Sequence, residues 1–313
     1  MNRYAARADE FVIAETLKQK LLRALQRTIG NIQEFWRLYR KNHLAVIGGA
    51  VVLIFISLAI LAPYVTSHDP EAPNFRAIRR PPVWSKEGSW TYPLGTDHLG
   101  RDIWARIIYG ARISLFIGFV VVGFATMIGV ALGLISGYYG GRIDAVIQRV
   151  IDTLLAFPYL ILATALVGVL GPGLRNIVLA LLYKEWVYPC RVVRGEVLAA
   201  KEQEYVEAAR TVGASSRHVM FKEILPNVLA STVVVSTLRV GSVILMEASL
   251  SFLGLGVEPP TPAWGSMVAE GRRFINTEWW ISTLPGLAIF LTVLGINLMG
   301  EGLRDALDPK LRE

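Results

Sequence analysis

Four charged residues stand inside runs that are otherwise apolar, and they are the first candidates for chemistry: Lys184, Glu185, Arg239 and Glu247. A charge in hydrocarbon is costly, so such groups face a cavity or a partner, as ion relays, pathway contacts or structural pairs. Counted along a helix, Glu185 lies about 16 Å from one end of its run. Arg239 lies about 18 Å from the opposite end of its own, a similar depth. We therefore expect Glu185 and Arg239 to share one buried charge network. Glu247 falls near an edge of its run, and about 80° of helix rotation separates it from Arg239, which argues against a direct pair. Lys184 is long enough to snorkel.

Other constellations carry less. Asp97, Arg101 and Asp102, with Gly95, Thr96 and Gly100 between and before them, invite a catalytic reading, but in GTDHLGRD they fit a capped turn better. The four histidines are far apart and lack metal-ligand spacing. A single cysteine, Cys190, excludes an internal disulfide and a multi-cysteine metal site. Neither GxSxG nor GxxxxGK[ST] occurs, so neither catalysis nor a cofactor of its own is expected of this chain.

The elements that must hold these charges are membrane spans. Of 313 residues, 53% are hydrophobic and 18% charged, and the deficit in charge points to a bilayer. The net charge of +7 could suggest nucleic acid, but the basic residues flank apolar runs instead of forming one basic face. No cleavable signal peptide is expected, because the first apolar run begins at Leu44 behind 43 residues carrying nine Lys and Arg. Within that tail Leu17, Leu21, Leu22, Leu25 and Ile29 have helical spacing, as in a helix on the membrane surface or on a partner's cytosolic domain.

Six spans are expected. They are Leu44–Ala62, Ile113–Ser136, Thr153–Leu174, an interrupted fourth over Asn176–Tyr183 and Trp186–Cys190, Asn227–Gly256, and Ile281–Gly300. Gly129, Gly133 and Gly137 recur every fourth residue, which lets a neighbouring helix approach closely. With the N-terminus inside, 20 Lys and Arg fall on inner segments and ten on outer ones, so both termini should be cytoplasmic. The organisation is then a tail (1–43), a first helix (44–63), an external proline-rich loop (64–111), a core (112–303) and a C-terminal tail (304–313).

Within that core the polar stretch 201–226 interrupts the apolar pattern. Glu204–Val212 favours helix, Gly213 supplies a left-handed stop, Ser215 or Ser216 can cap a second helix, and Pro226 bounds it. Composition alone is also compatible with a solvated connector that has no partner. Glu207-Ala208-Ala209, then Gly213, then Leu225-Pro226, resembles the EAA loop of ATP-binding cassette importer permeases. GTDHLGRDIWARIIYGARISL (from Gly95), EASLSFLGLGVEPPTPAWG (from Glu247) and GEGLRDALDPKL (from Gly300) resemble the peptide/nickel branch, over roughly residues 35 to 312. More narrowly, the chain is similar to C-type permeases of dipeptide and oligopeptide importers.

That resemblance implies an all-α type I permease fold with six membrane helices. It makes Glu207, Ala208, Ala209, Gly213, Leu225 and Pro226 contacts to an ATPase subunit. It also implies a second, B-type permease, two ATP-binding subunits holding ATP and Mg, and an external substrate-binding protein. Relatives import peptides, nickel or sugars. From other classes, an ion-driven transporter using the interior charges would work without an ATPase, and an intramembrane enzyme would turn over alone.

Overall fold

The computed structural model describes Gly30 and residues 33–307. The leucine pattern expected of the tail, from Leu17 to Ile29, lies outside the described residues, as does the chain beyond Leu307. Among the described residues every regular element is helical. From His43 on, the helices of eight or more residues are, in chain order, α1 (His43–Ile60), α2 (Ile103–Tyr139), α3 (Gly141–Ala156), α4 (Tyr159–Leu170) and α5 (Leu174–Glu185). They continue with α6 (Val187–Ala200), α7 (Glu204–Thr211), α8 (Ser216–Phe252, π-helical over Val219–Ile224), α9 (Trp264–Gly271) and α10 (Trp280–Leu307). Asn42 opens α1 as its N-cap, its side chain accepting from the Ala45 N–H.

α1, α2, α8 and α10 are each long and apolar enough to cross a bilayer, and α3 with α4 make a fifth if counted together. The expected third span, Thr153–Leu174, is therefore not one helix. Its two parts meet at 88° across Phe157-Pro158. The proline ring disfavours helical geometry in the residue before it, and Phe157 is extended at φ −94°, ψ 134°. The interrupted fourth span is two helices, α5 and α6, of 12 and 14 residues, joined through Trp186.

The fifth also differs from expectation. No break occurs at Pro226, because α8 runs through it from Ser216. Pro226 lies in the first α-turn after the π-helical stretch, where hydrogen bonding changes register and a missing N–H is tolerated. The helix then stops at Phe252 instead of Gly256.

α2 is central. It packs on α6 along its glycine repeat: an added Cβ would sit 2.6 Å from Pro189 Cγ at Gly129, 2.6 Å from the Cys190 carbonyl at Gly133 and 2.8 Å from Val197 Cβ at Gly137. A Gly133→Val chain should force α2 and α6 apart at about 1–3 kcal/mol for overpacking. The thermal midpoint of the purified protein, read by loss of its size-exclusion peak, should fall accordingly.

α1 lies on α10, and α8 lies between α10 and α2. Trp264 of α9 is fully buried beneath them, its indole N–H donating to the Ile107 carbonyl at 2.9 Å, which satisfies its one polar atom. The loop between α6 and α8 occupies one end of this bundle. The excursion from Leu61 to Asp102 and the segment 253–279 meet at the other, where the Trp280 indole donates to the Thr96 carbonyl at 3.2 Å.

Candidate functional site

The polar loop is built on an apolar footing. Val206, Val219, Met220 and Ile224 are buried together with Leu134, Val193, Val197 and Val228, so the loop is clamped to the ends of α2, α6 and α8. α7 closes with the paired hydrogen bonds of a glycine stop: Gly213 N–H to the Arg210 carbonyl at 2.9 Å and Ala214 N–H to the Ala209 carbonyl at 3.0 Å. Gly213 is left-handed at φ +84° with open space where a Cβ would be, so backbone conformation is the only demand for glycine there. Ser215 then caps α8, its hydroxyl accepting from the His218 N–H.

The loop's candidate residues do not share one face. Glu207, Ala208, Gly213 and Pro226 are exposed, whereas Ala209 and Leu225 are half-buried and Ala209 packs onto the footing. Tyr205, Val212 and Phe221 also stand open, a set the sequence reading passed over. Their signal was available: apolar side chains in the one segment that is otherwise polar. Arg210 is fixed instead of free, its guanidinium 5.4 Å over the Tyr138 ring.

In the middle of the bundle the structure brings Glu185 and Arg239 together. Arg239 Nε donates to Glu185 Oε1 at 2.5 Å and Nη2 to Oε2 at 2.9 Å, a two-point fork between α8 and the end of α5. The guanidinium also lies 3.8 Å over the Tyr188 ring. Lys184 does not snorkel. It is buried, and its Nζ donates to the Phe157 carbonyl at 2.5 Å, capping the backbone group left open where α3 and α4 part. The Tyr159 hydroxyl donates to the Leu181 carbonyl at 2.7 Å, so both sides of that break are tied to α5. Glu247 is elsewhere, fully buried, and accepts from Ser114 at 3.1 Å and Ser251 at 2.7 Å. Tyr159, Tyr188, Ser114 and Ser251 carry no charge and sit at no special spacing, so nothing in the sequence singled them out.

The GTDHLGRD stretch forms a capped turn. Asp97 Oδ1 accepts from the Leu99 and Arg101 N–H groups at 2.8 and 2.9 Å, and Asp102 caps α2 by accepting from the Trp104 N–H at 2.9 Å. Thr96 accepts from the Arg80 N–H at 2.8 Å. Gly95 and Gly100 both have positive φ, and a Cβ on Gly100 would lie 1.9 Å from the Asn74 carbonyl. Burial pushes the Asp102 carboxyl above the usual carboxylate range, against the lowering effect of His68, whose Nδ1 lies 2.9 Å away.

This turn is also pinned to α9. Arg101 bridges Asp97 at 2.6 Å and Glu270 at 2.7 Å, and buried Arg106 reaches the same Glu270 at 3.4 Å. Glu270 lies far along the chain from the turn, which is why it escaped notice. Asp97, His98 and Glu270 come within 4.8 Å of one another, but both carboxylates are already engaged by guanidiniums. The cluster is an ion-pair network joining two connecting segments.

Residues 129–313 match the family described as binding-protein-dependent transport system inner membrane component. Residues 30–82 match the N-terminal TM domain of oligopeptide transport permease C. The chain is 45% identical to a dipeptide transport system permease protein of Haemophilus influenzae, covering 90% of this chain and 96% of the relative. It is 44% identical to a di/tripeptide transport system permease protein of Pseudomonas aeruginosa, covering 90% and 93%. It is also 44% identical to a glutathione transport system permease protein of Pectobacterium atrosepticum, covering 90% and 91%. The fold is similar to a chain of the inward-facing MetNI methionine ABC transporter, with TM-score 0.54, 18% identity, and coverage of 66% of this chain and 97% of that one. A helical bundle with several apolar spans fits a transport component, and the chain belongs to the family of inner-membrane permease subunits of binding-protein-dependent ATP-binding cassette importers.

Proposed function

We propose that this chain is one of two permease subunits of an ATP-driven importer of di- and oligopeptides. The observation that carries the reading is the loop between α6 and α8: two rigid segments joined by a glycine stop, clamped to the bundle below and open above. Its exposed Glu207, Ala208, Tyr205, Val212 and Phe221 offer a small-residue step flanked by apolar and acidic side chains. Such a surface suits docking against an ATPase subunit, with movement there passed into α2, α6 and α8 through the shared footing. The peptide assignment draws on relatives named for dipeptides, di/tripeptides and glutathione.

In this reading a B-type permease completes the pathway, two subunits bind ATP and Mg, and an external binding protein delivers the peptide. The chain crosses the inner membrane six times with both termini in the cytoplasm. α3–α4 and α5–α6 serve as the two broken crossings, and the 64–111 loop lies outside. The decisive experiment reconstitutes the chain with its partners in liposomes and measures labelled dipeptide uptake. Uptake should require ATP, the ATPase subunits and the loaded binding protein. Uptake driven by an ion gradient alone would refute the reading.

Topology is tested separately. Lys86→Cys and Asn276→Cys should react with an impermeant thiol reagent in intact cells, and Ser215→Cys only after lysis. All three positions are exposed, and native Cys190 is fully buried, so background labelling should be small. Reaction of Ser215→Cys in intact cells would invert the topology.

A further inference from the structure

The fork at Arg239 is open on one side. Glu185 is 1% exposed, but the Arg239 side chain is 20% exposed. Its Nε and Nη2 are both committed to Glu185, while Nη1 has no hydrogen-bond partner among the described residues. The ring of Tyr188 backs the guanidinium at 3.8 Å and, with the buried carboxylate, fixes its plane. Lys184, the neighbouring cation, is held by the Phe157 carbonyl and forms no ion pair with Glu185, so Arg239 is the partner of that carboxylate.

An intramembrane guanidinium does not turn its open edge toward acyl chains, because hydrocarbon offers its N–H groups no acceptor. That edge must face water or an anion. A planar fork held by one buried acid, with one nitrogen left over, is matched to a second carboxylate. We propose that Arg239 is a binding residue of the translocation path, and that its free Nη1 edge takes the terminal carboxylate of a peptide in transit. This rests on the peptide-importer reading above and adds to it a named contact. Glu185 and Tyr188 are positioning residues, acting through Arg239. The interaction is weak enough to be transient: a single charge-assisted hydrogen bond holds the carboxylate without trapping it. A carboxylate from the second permease is the competing source of the same chemistry.

The wild-type complex in detergent, without binding protein, separates these sources and avoids any folding defect. Methylglyoxal, a small arginine reagent, is applied alone, with millimolar Ala-Ala, or with millimolar Ala-Ala amide, and modification of Arg239 is followed by mass spectrometry. Ala-Ala should slow modification at least threefold, and the amide, which lacks the anion, should not. Equal protection by both peptides, no protection by either, or an Arg239 that the reagent never reaches would each overturn the proposal. The last two are what a partner carboxylate would produce.

A charge swap, Glu185→Arg with Arg239→Glu, gives an independent arm. It keeps a pair but moves the guanidinium to the buried position and puts a carboxylate at the open one, so dipeptide uptake in proteoliposomes should fall at least tenfold. Uptake within twofold of wild type would overturn the proposal; if the swap does not assemble, the labelling result decides. If wild-type proteoliposomes move no peptide at all, the peptide reading itself has failed. If they do, and Arg239 is not shielded, only this contact has.

Discussion

Glu185→Gln on its own is expected to remove most of the assembled permease complex. The Arg239 guanidinium would then sit at mid-bundle with its fork unanswered, and breaking a buried pair from one side costs about 3–5 kcal/mol. Arg239→Met should be comparably damaging, because Glu185 is almost wholly buried and would have no cation within reach. The double variant Glu185→Gln/Arg239→Met removes both charges together, so assembly should recover to within about 1 kcal/mol of wild type in thermal stability. Recovery of uptake is not expected, since the open cation is gone. The measurement is the yield and melting midpoint of the co-purified complex for all four members of the cycle. If the double variant loses as much as the two singles added together, the residues are not coupled and the fork is not what holds α5 to α8.

The second large effect belongs to the loop. Gly213→Val should leave the chain inserted and folded but misdirect α7. A β-branched residue at φ +84° pays about 1–2 kcal/mol of backbone strain, and the loop relieves it by tilting. Ala208→Trp tests the same surface by bulk, because Ala208 is exposed while Ala209 already packs inward and a Trp there would disturb the footing. Both variants should lose at least tenfold of the ATP hydrolysis stimulated by loaded binding protein, or fail to retain the ATPase subunits during purification. Well-folded complexes of both variants that keep wild-type retention and stimulated hydrolysis would remove the loop from the coupling role.

The composition and the apolar runs were enough to establish a helical membrane protein, because burying backbone in lipid leaves a chain few other options. The glycine stop at Gly213 was equally legible, since only one residue type takes that backbone without strain. So was the approach of α2 to α6 along Gly129, Gly133 and Gly137, a repeat matched to the helical turn. Glu185 and Arg239 could be matched by depth because a straight helix converts residue number into distance at a fixed 1.5 Å.

What counting could not reach was direction. Hydropathy scores length and polarity but not axis, so Thr153–Leu174 read as one span although the clash of Pro158 with Phe157 turns the chain by 88°. The same proline rule misled at Pro226, where the π-helical turn before it lets α8 continue. Lys184 bonds to Phe157 only because the bend leaves that carbonyl beside it. Glu270 meets Arg101 and Arg106 across more than 160 residues of sequence. Local rules govern one helix and its caps, whereas partners brought together by packing depend on where every other helix lies, and that only the tertiary structure decided.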